Sequence, residues 1–338
     1  MHRLDGAAGG GQLLRTALSL SLVTGESFEM DNIRGNRSTP GLRPQHVACV
    51  SVAGSVANAD VDGEYEGSSR LQFSPDGIRA DPVEASVGTA GSTTLVCETL
   101  LPVAVALDDP LSLTVTGGTD VRWSPPTDYL RHVKRPLCST FGVDFDVNVS
   151  RRGFYPAGGG KLAVRINPAK PKSLDLLHCP QLDEIHVYSV ASEALSDASV
   201  GERQVEGVRD ALAGADIEAP VRSSVSAVES TSPGTAVVVV ARSGDIVAGF
   251  DAYGERGVPA EAVGEKAAES FLDWYRGDAP VDHHMADQLL VWVALVGGRV
   301  RIPEVTEHVR TNLDVIRAFG YEVDVRDEGE SAVVERVE

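Results

Sequence analysis

The sequence predicts an α/β protein. Its large domain has three repeated units, each with two helices and a small sheet, and a smaller α/β domain is inserted in the third unit. Three observations carry this prediction. The order of apolar helix, short strand and second helix recurs three times along the chain. A histidine stands near the start of each second helix, and the spacing of these histidines shows where sequence has been added.

The repeated elements follow from the periodicity of the apolar residues. First helices are predicted at residues 12–24, 92–107 and 286–296, each after a turn-like stretch. Short β-rich runs come next, at 28–33, 111–116 and 299–305. The second helices contain His46, His132 and His308 near their starts. Alternating apolar residues at 143–149 and 321–325 predict the strands that close the second and third units.

The histidine spacing locates the insertion. His46 and His132 are 86 residues apart, whereas His132 and His308 are 176 apart, an excess of 90. We therefore predict an inserted domain at residues 180–276 and a large domain at 1–179 and 277–338. Within the insertion, strands are expected at 184–190, 235–241 and 246–252, and helices at 191–212 and 260–275.

Composition limits the classes of function. The 338 residues carry a net charge of −19, and the only lysines are Lys134, Lys161, Lys170, Lys172 and Lys266. An acidic, lysine-poor chain resembles proteins of salt-loving archaea, although ordinary acidic solubility is an alternative. Broad, non-specific binding of nucleic acid is disfavoured because each phosphate contact needs a local cation. An RNA ligand would have to be held at its end by a concentrated arginine cluster.

The sequence also indicates the cellular compartment and the state of the cysteines. The longest apolar stretches are too short to cross a bilayer, and residues 1–11 contain no basic region followed by an apolar run. We therefore expect a cytoplasmic protein with no membrane association. The four cysteines lie far apart, without a C-x-x-C pair, so a disulfide pair or zinc site is not expected.

Two segments suggest phosphate binding. Gly9–Gly11 precede a helix whose polar face carries Gln12, Arg15 and Ser19, and a plain turn before a helix is the alternative interpretation. Residues 33–46, IRGNRSTPGLRPQH, place three arginines, a glutamine and a histidine around a Pro-Gly turn. Guanidinium groups bind phosphate oxygens in forked pairs, whereas salt bridges to the many acidic residues would be the structural explanation.

The C-terminal region supplies a candidate nucleophile. Asp287 and Gln288 stand at the head of the third apolar helix, and His308 stands at the head of its partner in EHVRTN. An imidazole nitrogen can displace pyrophosphate from ATP and form a P–N bond. A lone histidine is more often structural, and His46 and His132 are rivals for the same role.

Taken together in order, these segments resemble the RNA 3′-terminal phosphate cyclase family. The resemblance runs from Leu4 to about Gly320 and is weakest in the insertion. Its landmarks are GGGQLLRTALSLS, IRGNRSTPGLRPQH, GTAGSTTL, GGTD, GFYPAGGG, ADQLL and HVRTN. The family fold is a large domain of three α/β repeats with a smaller inserted α/β domain, which agrees with the histidine spacing.

The resemblance implies an ATP-dependent conversion of an RNA 3′-phosphate to a 2′,3′-cyclic phosphate. His308 matches the family nucleophile, which is adenylated before AMP passes to the RNA end. A divalent metal, Mg²⁺ or Mn²⁺, is expected as well. The implied ATP- or phosphate-binding residues are Arg15, Arg34, Arg37, Arg43, Gln45, His46, Pro125, Phe250, His284, Asp287 and Gln288. Pro125 should line the base, and Phe250 and His284 are candidates for stacking on it.

Two positions depart from the family pattern. Ala8 stands where the family usually has an acidic residue before the glycine triplet, so the metal ligands stay open. His284 stands where family members tend to carry tyrosine, which leaves the nucleotide preference open. Two rival functions remain: a catalytically deficient cyclase-like RNA-processing factor, and an enolpyruvyl transferase, which would need six units and a longer chain. The RNA substrate and the oligomeric state are not predicted.

Overall fold

A computed structural model describes residues 1–88 and 90–337. The first unit is a β-α-β-α-β-β succession. It comprises β1 (His2–Asp5), α1 (Gly11–Thr24), β2 (Phe28–Asp31), α2 (Pro44–Ala57), β3 (Asp60–Asp62) and β4 (Leu71–Ser74). The apolar side of α1 is buried against the sheet, where Leu14, Leu18 and Phe28 are almost completely inaccessible to solvent.

The second unit repeats this succession with a more irregular pair of helical segments. It contains β5 (Val83–Ser86), α3 (Thr93–Leu100), a 3₁₀ helix (Leu101–Ala106), β6 (Leu111–Gly117), α4 (Thr127–Tyr129), a π-helical turn (Leu130–Lys134), α5 (Arg135–Thr140), β7 (Phe145–Arg151) and β8 (Gly160–Ile166). The expected helix at 92–107 is therefore shorter than predicted. Pro102 has no N–H to donate, so the segment continues as 3₁₀ helix.

The rest of the chain begins with one short strand. The elements of a separate sheet follow, and the pattern of the first two units then resumes. In order it contains β9 (Leu174–Leu176), β10 (Glu184–Ser192), a 3₁₀ helix (Glu193–Ala198), α6 (Val200–Ala213), β11 (Val221–Val228), β12 (Thr235–Ser243), β13 (Ile246–Tyr253), α7 (Ala260–Arg276), α8 (His283–Gln288), α9 (Leu290–Val296), β14 (Gly298–Ile302), α10 (Glu307–Ala318), β15 (Val323–Asp327) and β16 (Ala332–Arg336).

The described strands form four sheets of four strands each, so the protein is α/β as predicted. Three sheets have the orders β1-β2-β4-β3, β5-β6-β8-β7 and β9-β14-β16-β15. In each of them the first pair is parallel and the other two pairs are antiparallel. The shared strand order is what repeated units would produce. That the three units superpose stays a prediction.

The fourth sheet, β11-β10-β12-β13, takes all its strands from residues 184–253. Helices α6 and α7 cover one face, where Val208, Ala267 and Phe271 are fully buried. The other face packs on the second unit, and a β-carbon at Gly249 would lie only 2.4 Å from Cγ2 of Val133. Glycine at this position therefore allows a close approach between sheet and helix. The domain boundaries themselves stay predictions.

One predicted element of the insertion differs from the structure, and one strand of the insertion was not predicted. The segment 191–212 is not one helix, because β10 continues to Ser192 and α6 begins only at Val200. Strand β11 was not predicted, since its sequence VRSSVSAV lacks an apolar alternation. It is an edge strand with several exposed residues, so burial imposes little pattern on it. Within residues 1–88 and 90–337, no helix is both long and apolar enough to span a membrane.

The surface charge leads to a prediction about salt. Because like charges repel in the folded protein with its net charge of −19, screening by potassium chloride should favour folding. We expect the melting temperature to rise steadily from dilute buffer to molar potassium chloride. Differential scanning calorimetry would test this expectation. A melting temperature that is unchanged or lowered by salt would contradict the interpretation of the acidic surface as a halophilic adaptation.

Candidate active site

Glycines at the start of α1 let polar side chains approach its backbone. A β-carbon at Gly11 would lie 2.4 Å from Nε2 of His46 and 3.1 Å from Nη1 of Arg15. A β-carbon at Gly10 would lie 2.6 Å from Oε1 of Gln12. The first N–H groups of a helix have no helical partners and favour anions. The glycine triplet therefore places a helix N-terminus next to a cationic and an imidazole side chain, as a phosphate site requires.

His46 lies at the start of α2 and is held as a neutral ring. Its Nδ1 accepts a hydrogen bond from the backbone N–H of Arg43 at 2.9 Å, so the ring proton resides on Nε2. Burial, together with the positive charges of Arg15 and Arg34, lowers the pKa of His46 to about 3. His46 can therefore donate one hydrogen bond from Nε2 at neutral pH but cannot act as a cation.

The arginines expected to contact phosphate divide into two pairs. Arg34 donates from Nη1 to the carbonyl oxygens of Thr39 (2.7 Å) and Gly41 (3.1 Å), so it braces its own loop. Arg43 forms an ion pair with Glu66 at 3.3 Å.

Arg15 and Arg37, in contrast, take part in no ion pair with any described residue. Nη2 of Arg37 comes within 3.4 Å of the β-carbon position of Gly10. These two guanidinium groups at the glycine triplet are the ones that remain available for an anion.

Gln45 links the first unit to the second. Its Oε1 accepts the backbone N–H of Ser92 at 3.0 Å, at the start of α3. The Ser92 hydroxyl contacts the Thr94 hydroxyl at 2.9 Å, and Thr94 donates to the carbonyl oxygen of Pro125 at 2.8 Å. A chain of hydrogen bonds thus fixes the Pro125 loop relative to the arginine-rich segment.

A cleft lies between α1, α3, α8 and α10, where the three units meet. Its polar lining comprises Gln12, Arg15, Thr16, Ser19, Glu98, Lys134, Asp287, Gln288 and Asn312. Nε2 of Gln12 and Oε1 of Glu98 are buried without a hydrogen-bond partner among the described residues. Buried polar atoms of this kind are costly, and a bound polar ligand would satisfy them. The cleft is therefore suited to a polar, charged ligand.

Lys134 lines this cleft and, like Thr16 and Glu98, was not predicted from the sequence as a site residue. It is buried, with Nζ 2.8 Å from Oε1 of Gln288 and 3.2 Å from Oε1 of Glu98. The contact with Glu98 has the geometry of an ion pair and not of a hydrogen bond. One signal was available, since this is one of only five lysines in the chain.

Asp287 lines the cleft and lies next to His308 of α10. Nδ1 of His308 lies 3.8 Å from Oδ2 of Asp287, and the His308 side chain is 53% exposed. Thr306 caps α10 by accepting the backbone N–H of Val309, and Asn312 one turn further on accepts the Thr16 hydroxyl at 2.7 Å. Burial raises the pKa of Asp287, while the nearby charges of Arg15, His284 and His308 counteract that rise. His308 is thus accessible, and the helix that carries it is fixed to α1.

His284 carries a positive charge beside Asp287. Its Nε2 lies 2.7 Å from Oδ1 of Asp251 on β13. Burial lowers the pKa of His284, but the hydrogen bond to Asp251 and the nearby carboxylates of Asp282 and Asp287 outweigh it and raise that pKa to about 9. The ring meets Tyr129 edge-on, with centroids 5.1 Å apart. This imidazolium is available to a nucleotide only at its remaining edge and face.

The ion pair between His284 and Asp251 predicts that the stability of the fold depends on pH. Because the folded-state pKa of His284 exceeds the unfolded value of about 6.5, its contribution is complete below that value and is lost as pH rises through about 9. Asp251→Asn should remove the carboxylate that most stabilises the proton on His284. The free energy of unfolding should then vary less with pH over this range. Urea unfolding at several pH values, with NMR titration of the histidines, measures both effects. A wild-type His284 that titrates below pH 7 would contradict the prediction.

Of the residues predicted to bind ATP or phosphate, Arg15, Asp287 and Gln288 line the cleft, whereas Phe250 and the rival nucleophile His132 pack against other aromatic side chains. Phe250 is only 4% exposed and packs in the core beneath α7, with its ring centroid 5.7 Å from that of Phe271 and 5.5 Å from that of Trp274. It is on the helix-covered face of β13 and cannot stack on a base. His132 lies in the π-helical turn, not at the start of the helix, and stacks on Tyr188 at 3.8 Å.

The described residues do not provide a metal site of their own. Among them, no group of three or more His, Cys, Asp or Glu residues is arranged to hold an ion. The Asp5 carboxylate accepts hydrogen bonds from the Ala7 N–H and the Asn32 amide, and Ala8 supplies no ligand. The residues therefore fit a tightly bound divalent metal poorly.

Comparison with known proteins agrees with this geometry. The family model described as RNA 3'-terminal phosphate cyclase matches residues 7–325. A protein of Halobacterium salinarum named RNA 3'-terminal phosphate cyclase is 44% identical over 99% of both chains. Proteins of the same name from Pyrococcus abyssi and Pyrobaculum aerophilum are 38% identical over 100% of both chains and 39% identical over 94% of this chain and 92% of the relative. The chain belongs to the RNA 3'-terminal phosphate cyclase family.

Proposed function

We propose that this enzyme converts an RNA 3′-phosphate to a 2′,3′-cyclic phosphate at the expense of ATP, through a covalent AMP adduct of His308. The observation that carries the proposal is the placement of His308. It is half exposed on the first turn of α10, with Nδ1 3.8 Å from Oδ2 of Asp287, which lines the same cleft as Arg15 and Lys134.

In the first step, Nε2 of His308 attacks the α-phosphorus of ATP. A P–N bond forms, the bond to the bridging oxygen breaks, and pyrophosphate leaves with the electron pair of that bond. Asp287 lies on the Nδ1 side of the ring, so it orients the ring and stabilises the positive charge that develops there. The guanidinium groups of Arg15 and Arg37 bind the departing phosphates near the N-terminus of α1.

In the second step, an oxygen of the RNA 3′-phosphate attacks the adenylate phosphorus, and the P–N bond breaks to regenerate His308. The vicinal O2′ then attacks the 3′-phosphorus, AMP leaves, and the O2′ proton passes to solvent. His46 is neutral and donates from Nε2, so it can hold a phosphate oxygen during these transfers. His46 orients the substrate and takes no proton, since its pKa lies near 3.

The residues around the adenylate position have distinct tasks in this proposal. Asp287 and Gln288 face the nucleotide, and Gln288 is held in place by Lys134. Pro125 lines the base, on a loop that Thr94 fixes. His284 contacts the nucleotide as an imidazolium, which favours the electron-rich face or acceptor edge of a base.

A divalent ion, Mg²⁺ or Mn²⁺, would be carried mainly by the ATP phosphates, because the described residues contribute no cluster of ligands. We expect Ala8→Glu to lower the metal concentration that supports half-maximal activity. Ala8 is exposed and lines a groove with Asn36 and Thr311, one turn of α10 from His308, so a carboxylate at position 8 would be close to the nucleotide. Titration of Mn²⁺ in the cyclisation assay tests this. An unchanged metal dependence would contradict it.

A second candidate function is a catalytically deficient RNA-processing factor, which the alanine at position 8 favours. One experiment separates the two. The intact mass of the protein is measured after incubation with ATP and Mn²⁺, and the same sample is given an oligoribonucleotide with a 3′-phosphate. The enzyme should gain the mass of one AMP and then form a cyclic end. A protein that binds the RNA but never gains mass supports the deficient factor.

A further inference from the structure

Trp123 is the most exposed large apolar side chain among the described residues. Its relative exposure is 95%, whereas Trp274 and Trp292 are 9% and 1% exposed. Its backbone has φ of +64°, a left-handed conformation that a bulky side chain rarely adopts. Exposure of an indole costs hydrophobic free energy, and strain of this kind concentrates at ligand sites. Neither the exposed indole nor the left-handed backbone stabilises the described part of the chain.

The loop that carries Trp123 is rigidly held. The Ser124 hydroxyl donates to the carbonyl oxygen of Val121 at 2.8 Å, and the Ser124 carbonyl accepts the Tyr253 hydroxyl at 2.8 Å. Arg122, on the other side of the tryptophan, is paired with Glu255. Two of these contacts come from the chain at the end of β13. The backbone on both sides of Trp123 is therefore held in place, so the binding of a ligand to the indole has to order the side chain but not the loop.

Its position connects it to the active site. Pro125, two residues away, is tied through Thr94 and Ser92 to Gln45 in the arginine-rich segment. Tyr253, which holds the Trp123 loop, is two residues along β13 from Asp251, the partner of His284. The loop that carries the exposed indole is thus joined to Tyr253 of β13 and is continuous with Pro125, and both are close in sequence or by hydrogen bonds to residues proposed to bind the nucleotide.

Other exposed aromatic side chains lie on loops bonded to the same region. Tyr155 is 74% exposed, two residues after Gly153, whose carbonyl oxygen accepts the N–H of Thr119. Tyr65 is 64% exposed and precedes Glu66, the ion-pair partner of Arg43. Aromatic side chains make up only 5% of this chain, so three exposed rings on loops around one site indicate a ligand with several flat groups.

We propose that Trp123 is a stacking platform for a nucleobase of the RNA strand whose 3′-phosphate enters the active site. The inference rests on the proposed RNA substrate. Single-stranded nucleic acid is bound by aromatic side chains that stack on bases, combined with cations for the phosphates. In a chain with a net charge of −19, stacking also supplies affinity that salt does not weaken. Trp123 binds bases without reading their identity, because each base offers a flat face.

Tryptophan fluorescence tests the contact directly, since Trp123 is the accessible indole and Trp274 and Trp292 are buried. A single-stranded oligoribonucleotide with a 3′-phosphate should quench the long-wavelength emission, and the quenching should disappear in Trp123→Phe. ATP alone should leave that emission unchanged. Quenching by ATP without any effect of RNA, or an emission shift that depends only on protein concentration, would overturn the proposal.

Kinetics provide the second readout. Trp123→Asn removes the ring, and asparagine accepts the left-handed backbone, so the loop should fold normally. Stacking on one base is worth ~1–3 kcal/mol, which predicts a rise of roughly 5- to 150-fold in KM for the oligoribonucleotide. The rate of AMP-adduct formation and the melting temperature should not change, and Trp123→Phe should retain most of the RNA affinity.

The stacking role of Trp123 and the proposed cyclase function can be rejected independently. An unchanged KM for RNA in Trp123→Asn, with a normal AMP adduct, would reject the stacking role and leave the proposed function intact. Absence of the adduct in the wild-type protein would reject the proposed function, while fluorescence would still report whether RNA contacts Trp123.

Discussion

His308→Ala should eliminate both the AMP adduct and the formation of cyclic RNA ends, with a loss of activity of at least ~10⁴-fold. The variant lacks the nitrogen that forms the P–N bond, and no neighbouring described side chain can replace it. His308 is 53% exposed, and its imidazole lies 3.8 Å from Asp287 without a hydrogen bond to it, so its removal should leave the fold intact. The mass of the protein after incubation with ATP and Mn²⁺ measures the first effect, and a cyclisation assay measures the second.

His283→Ala is the matched control for this variant. His283 is also a surface histidine, 63% exposed, with Nδ1 at 3.8 Å from Glu304. Its loss should leave the adduct and the cyclisation rate nearly unchanged. His46→Ala should weaken both, because it removes a donor to phosphate but not the nucleophile. A His308→Ala protein that still gains an acid-labile AMP adduct would contradict the assignment, and His46 would then be the next candidate.

A chemical rescue separates the nucleophile from the rest of the site. An RNA whose 3′-phosphate already carries AMP needs only the attack of O2′ and the departure of AMP. His308→Ala should therefore cyclise this RNA at a substantial fraction of the wild-type rate, since Arg15 and Arg37 remain. Failure of the rescue would mean that His308 also takes part in the last step.

Most elements of the three units are predictable from the sequence because their helices and strands bury one apolar face. Helix α1 and strand β6 each differ from the prediction by a single residue at one end. Where a segment is exposed, or is buried on both sides, its apolar residues show no regular spacing. Strand β11 is an exposed edge, and the segment before α6 is a 3₁₀ helix, so neither gave a periodic signal.

The candidate site was predictable in its residue types but not in the task of each residue. The segment 33–46 was identified from its arginines, yet Arg34 braces its own loop and Arg43 is paired with Glu66. Phe250 matched an expected stacking residue but faces α7, since side chains alternate between the two faces of β13. Such distinctions depend on contacts between residues far apart in sequence, which spacing alone does not specify.

Lys134 shows the same limitation and leads to the largest expected effect on stability. Its side chain is 5% exposed and that of Glu98 is 6% exposed, with 3.2 Å between Nζ and Oε1. Lys134→Met should leave the Glu98 carboxylate buried without a counter-ion. Removal of one partner of a buried ion pair costs about 3–5 kcal/mol, mainly through the desolvated charge that remains. Urea unfolding at constant high potassium chloride measures this loss.

The double variant Glu98→Gln/Lys134→Met distinguishes charge from packing. It contains no uncompensated charge, so at least half of the lost unfolding free energy should return. Its KM for ATP in adduct formation should stay high, because Gln288 has lost the Nζ donor that holds it at 2.8 Å. Stability restored together with a normal KM would mean that Gln288 needs no positioning by Lys134. A single variant as stable as the wild type would mean that the Glu98 carboxylate is satisfied by other groups in the cleft.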